Sequence, residues 1–163
     1  MAQPRPRPIS ATEQLARAKR VSDIARLLGF VGRVEYRHVY SRAGGAQYGL
    51  AGTPGQDLLI VYAEAFDRDA NPDDFSLSGI IAHECGHQLL ARHDRLTRNL
   101  PRAWSSVSEE IVASVLGSLL VNEEKDRQDL LLKAIFDAEK HGLSADRATI
   151  LIMGLRAVLE EML

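Results

Sequence analysis

The spacing that most constrains this chain is His83-Glu84-Cys85-Gly86-His87, which follows the apolar run Ile80-Ile81-Ala82. On a helix, residues four apart differ by about 40° in azimuth and about 6 Å in rise. The two imidazoles therefore converge on one point, and Glu84 projects from the same side. This is the His-Glu-x-x-His arrangement, two ligands for zinc plus a carboxylate placed to take a proton from water. A helix with one core histidine and one solvated histidine is the competing reading. The apolar residues ahead of His83 and the uncharged Cys85 and Gly86 weigh against it.

Zinc needs a third protein ligand and keeps a fourth position open. His93 lies six residues beyond His87. That spacing resembles the metzincin peptidases and a bacterial endoribonuclease family with three spaced histidines. Both break the helix at a glycine three residues after the second histidine, where this chain has Leu90. In an unbroken helix His93 lies about 240° round and about 9 Å along from His87, out of reach. A left-handed turn at leucine costs roughly 1–2 kcal/mol.

Glu110 is the other candidate. In a helix it shares a face with Ala113, Ser114 and Gly117. Glycine inside a helix costs about 1 kcal/mol relative to alanine, so it usually has a packing reason. A stripe of small residues lets this helix approach the motif helix and deliver the Glu110 carboxylate, with Ser114 supporting a ligand from behind. Glu109 fits a capping box and the helix dipole instead. The spacing favours Glu110 as the third ligand and leaves His93 as the alternative.

Around the motif, residues 1–9 alternate Pro and Arg and read as a disordered tail. Ser10-Ala11-Thr12-Glu13 caps a helix that Gly29 ends, with Leu15, Ala18, Ile24, Ala25 and Leu28 as its apolar positions. Its Arg17, Lys19, Arg20 and Arg26 read as a solvated face. Alternation over Val31–Tyr40 predicts a strand, Gln47–Ala51 a short second one, and Leu58–Tyr62 an interior strand. Ser76 or Asp74 caps the motif helix, which is expected over about Leu77–His93. Arg95–Trp104 reads as a connection, with Trp104 anchoring it. Further helices are expected from the Ser106-Val107-Ser108-Glu109 capping box to Val121, over Glu124–Lys140 and over Ser144–Met162.

The expected class is α+β: a small, mostly antiparallel sheet of about three strands packed on a bundle of about five helices, a minimal zincin-like fold. With 163 residues the chain suits one domain, 10–163, in which the helices from about 124 complete the bundle. A net charge of -2 gives no general attraction to nucleic acid or to an anionic membrane. One cysteine and no membrane-length apolar run point to a soluble, cytoplasmic protein. The last helix is more apolar than one face requires. Burial in the bundle is the expectation, and a homodimer through this helix stays open.

The motif followed by Glu110-x-x-Ala113 on a second helix resembles the ImmA/IrrE family of bacterial metallopeptidases, which are gluzincin-like. Cys85 stands where that family has Leu, and Ser114 where it has Asn or Asp. The resemblance implies a zinc-dependent peptidase acting on a protein such as a transcriptional repressor. Zinc would be held by His83, His87 and Glu110, with Glu84 as general base. Tyr48, His38 and His93 are candidates to stabilise the oxyanion, and the edge around Gln47–Gly52 is a candidate to hold an extended peptide by strand addition. The alternatives are a non-catalytic zincin-like metal-binding module and a metal-dependent nuclease that uses His93.

Overall fold

The computed structural model describes residues 4–41, 43–99 and 106–163. They form an α+β protein in two compact units, Met1–Ile81 and Ala82–Leu163. The first unit holds α1 (Ala11–Leu27), β1 (Arg33–Arg37), β2 (Ala46–Gly49), β3 (Leu58–Tyr62), α2 (Ala63–Asp69) and the start of α3 (Leu77–Arg92). The second holds the rest of α3, then α4 (Asp94–Asn99), α5 (Ser106–Leu120), α6 (Glu124–Lys140) and α7 (Ala145–Met162).

Local signals set the ends of α1. The Ser10 hydroxyl accepts from the Glu13 amide at 3.0 Å, and Gly29 takes a left-handed φ of 88° just past the end. The buried positions of α1 are Val21 and Ala25, whereas Leu15 is 72% exposed. Its arginines are not simply solvated. The Arg17 guanidinium lies 4.4 Å from the Phe66 ring centre and donates to the Tyr36 hydroxyl at 2.9 Å. Arg26 donates to the carbonyls of Phe30 and Gly32, and Arg20 pairs with Asp69. Arg17 therefore covers aromatic surface that a solvated face would leave bare.

The sheet is mixed where alternation alone suggested mostly antiparallel pairing. Its order is β1-β3-β2, with β1 parallel and β2 antiparallel to the central β3. The cause is the path between β1 and β2, which does not make a hairpin. Val39 and Gly45 lie by the end of β3, where their carbonyls accept from the Ala63 and Tyr62 amides. Gly44 and Gly45, at φ 78° and 117°, allow that turn, and β2 then pairs on the far side of β3. β3 is buried over Leu59–Tyr62, as an interior strand must be, and β2 is an edge strand. Within this unit Tyr36 donates to His38 Nδ1, and His38 Nε2 donates to the Arg7 carbonyl at 2.7 Å. The tail thus forms no helix or strand over residues 4–9, yet it is tied to β1's end through Arg7.

Helix α3 begins where Ser76 caps it, its hydroxyl accepting from the Gly79 amide at 3.0 Å. It runs through Leu90 to Arg92 without a break, and no described non-glycine residue has positive φ. The segment expected to be a plain connection forms α4 over Asp94–Asn99. Trp104 lies outside the described residues, and Ser106, expected to cap α5, is its first helical residue. The core of the second unit is Leu96, Val112, Val115, Leu116, Ala134, Ile152 and Leu159, drawn from α4 to α7. Each of its fully buried leucines contributes about 2 kcal/mol by leaving water. Helix α7 does not fill the bundle centre as expected, since only one of its faces is buried. Among the described residues, no helix is long and apolar enough to cross a membrane.

Candidate metal centre

Two helices of the second unit build the site, and two glycines set how close they come. A Cβ on Gly86 of α3 would overlap the Ala113 carbonyl oxygen of α5. A Cβ on Gly117 of α5 would lie 2.8 Å from the Ala82 carbonyl oxygen of α3. Real side chains do not tolerate such approaches, so both positions require glycine. The small stripe on α5 foretold Gly117. Gly86 was readable by the same argument, as a glycine inside a helix, and sequence reasoning passed over it.

At this close crossing Glu110 reaches both histidines. Its Oε2 lies 2.9 Å from His83 Nε2 and its Oε1 2.9 Å from His87 Nε2. The imidazoles stand nearly perpendicular, with ring centres 4.9 Å apart. Ligand atoms of His83, His87 and Glu110 all fall within 4.8 Å of one another, a group that can hold a metal ion. His93 is not part of this group. It follows the last residue of α3, and its Nδ1 is buried without a hydrogen-bond partner among the described residues. With α3 unbroken at Leu90, nothing turns the His93 ring towards His83 and His87.

Charge and burial prepare the three groups differently. Hydrogen bonds from His83 and then His87 hold the Glu110 carboxyl well below the usual carboxylate range, although partial burial opposes them. For His83, burial is the largest influence and lowers its pKa below 6.5 against the Glu110 bond. For His87, burial also pulls downward, but the Glu110 bond and the charges of Glu84, Glu110 and Glu109 outweigh it, and its pKa is raised. An ionised Glu110 accepts from both Nε2 atoms. Behind His83, Nδ1 pairs with the fully buried Ser114 hydroxyl at 2.9 Å. A hydroxyl can donate or accept, so it suits either tautomer of this ring. The donor set therefore fits a divalent cation: two imidazole nitrogens, one carboxylate, and a buried partner that fixes the inner ring.

Other candidates fall elsewhere. Glu84 is half-buried on α3, and its charge acts on His87. Burial pushes the Cys85 thiol up to about 12, so Cys85 is a packing residue at neutral pH. Tyr48 donates to the buried Asp57 at 2.8 Å, and His38 is engaged by Tyr36 and Arg7. Lys133 of α6, which sequence reasoning missed, has its ammonium 3.7 Å from Glu110 Oε2 and 2.9 Å from Asp137. No spacing rule reveals it, because it depends on how α6 packs against α5.

Fold and site together define an α+β protein with a two-histidine, one-glutamate group able to hold a metal ion. Compared with protein-family models, with curated proteins and with solved structures, the chain finds no match. The functional reading rests on the residues themselves.

Proposed function

We propose that this protein is a zinc-dependent peptidase of the gluzincin type, resembling the ImmA/IrrE metallopeptidases. The observation that carries the reading is the convergence of His83, His87 and Glu110 from α3 and α5, with Glu84 beside the first ligand. Two imidazoles and one carboxylate match catalytic zinc, which takes three protein ligands. Zinc held there supplies Lewis acidity, lowering the pKa of water towards neutrality and polarising a carbonyl.

The chain's own residues do the rest. Glu84 takes a proton from the attacking water as oxygen adds to the peptide carbonyl carbon. It passes that proton to the departing nitrogen as the C–N bond breaks, leaving a carboxylic acid and an amine. Ser114 holds the His83 ring, and Lys133 sets a positive charge beside Glu110. The resemblance points to a regulatory protein as substrate.

Metal analysis of the purified protein, combined with a Glu84→Gln variant, tests this. The expected outcome is one zinc per chain in both proteins and loss of hydrolysis in the variant, by about 100-fold or more. A wild type without zinc overturns the metal site. A variant that keeps zinc and full function overturns the catalytic role and leaves a metal-binding module.

A further inference from the structure

Helix α7 buries Ala148, Ile152 and Leu159 and turns an apolar face to solvent on its other side. Ile150 is 73% exposed and Val158 52%, with Leu151 and Met153 also exposed. At helical spacing Ile150, Gly154, Ala157 and Val158 form one stripe, flanked by Leu151 and Met153. An outward face of a bundle helix is ordinarily polar. Gly154 is at the middle of the stripe, where glycine weakens a helix relative to alanine. Unlike Gly86 and Gly117, it has open space around it, and a Cβ there would meet nothing within 4 Å. No contact among the described residues accounts for it.

The residues around Gly154 are symmetric in the sequence. Leu151 and Ala157 lie three positions either side, Ile150 and Val158 four, and Arg147 and Glu161 seven. Arg147 and Glu161 are exposed, and neither side chain has an ion-pair partner among the described residues. The Arg95 guanidinium donates to the Glu161 backbone carbonyl at 3.4 Å. Two copies of α7 laid antiparallel and crossed at Gly154 set Ile150 of one against Val158 of the other. The same register sets Arg147 against Glu161 at both ends, about 10 Å from the crossing. A parallel pair would oppose Arg147 to Arg147 and Glu161 to Glu161.

We propose that this face of α7 is a self-association surface, and that its partner is a second copy of this chain. Two copies meet antiparallel about a two-fold axis at Gly154, with apolar contacts in the centre and an Arg147–Glu161 pair at each end. A closed two-fold interface uses the same patch twice and leaves nothing exposed for further growth. The inference does not depend on the metal site or on hydrolysis.

Sedimentation of the full chain from micromolar to millimolar concentration tests it, with variants read beside the wild type. The wild type is expected to pass from monomer to dimer. Arg147→Glu places like charges at both ends and is expected to weaken the dimer by about tenfold or more. Arg147→Glu combined with Glu161→Arg is expected to restore it. Gly154→Leu is expected to abolish the dimer while raising the melting midpoint of the dilute monomer by about 2–4 °C, because leucine is the better helix former. A wild type that stays monomeric at every concentration, including one that binds vesicles or another protein instead, overturns the proposal. So does a dimer that survives Gly154→Leu, or a charge exchange that restores nothing.

Discussion

Ser114 shows how one small side chain governs the metal group from behind. Its hydroxyl is the only recorded partner of His83 Nδ1 among the described residues, and both groups are buried. Ser114→Ala leaves that nitrogen unpaired in a buried place, which costs about 1–3 kcal/mol. The inner ring then loses its orientation, and metal affinity is expected to fall by about 10–100-fold, measured by competition with a coloured chelator. Unchanged affinity would show that packing alone positions His83. His83 and His87 were legible in the sequence because their relation is local, fixed by helical pitch. Glu110 was legible one step further out, through the small residues behind it. Lys133 was not, since nothing within α6 records which carboxylate of α5 it faces.

The elements α3 and α5 make the site by nearly touching, and this closeness is fragile. Gly86→Ala sets a methyl group into the Ala113 carbonyl, so the helices must part. Overpacking of this kind costs about 1–3 kcal/mol. Glu110 retreats with α5, and zinc binding is expected to fall further than stability does. Urea unfolding beside zinc titration checks this, and a variant that binds zinc at wild-type strength would show that the crossing has slack. Helix ends were largely legible, because Ser10, Ser76 and Ser144 carry their caps in the local sequence. Strand order was not. Alternation in Val34 and Tyr36 reports a strand but not its neighbour, and the contacts of Val39 and Gly45 with the end of β3 are not written in that pattern. The outward apolar face of α7 was misread for a related reason: hydrophobicity alone does not say whether a residue of the helix faces the core or solvent.

For the molecule as a whole, a metal ion held by His83, His87 and Glu110 would act through the same side chains as pH. A ligand present at about 100 times its Kd stabilises the folded state by about 2.7 kcal/mol. For a chain of this size that raises the melting midpoint by roughly 5–10 °C. Zinc needs both imidazoles free of the Nε2 proton, and the pKa of His87 is raised above its ordinary 6.5. The zinc-induced rise should therefore be full at alkaline pH and shrink as pH falls through the raised His87 value. Without metal the signs differ group by group. The contribution of His87, whose pKa is raised, is complete below 6.5 and fades as pH climbs past its folded value. His83, lowered by burial, contributes above 6.5 and loses that contribution as pH falls below it, so the two histidines together favour the fold most near 6.5. Glu110, lowered by its two hydrogen bonds, stabilises the fold above 4.5 and ceases to as acid protonates it. Melting curves with zinc and with a chelator, taken from pH 4 to pH 9, should thus stay nearly parallel at the alkaline end and converge as pH falls through the raised His87 value. Curves separated by the same interval at every pH would mean that histidine nitrogens do not hold the metal.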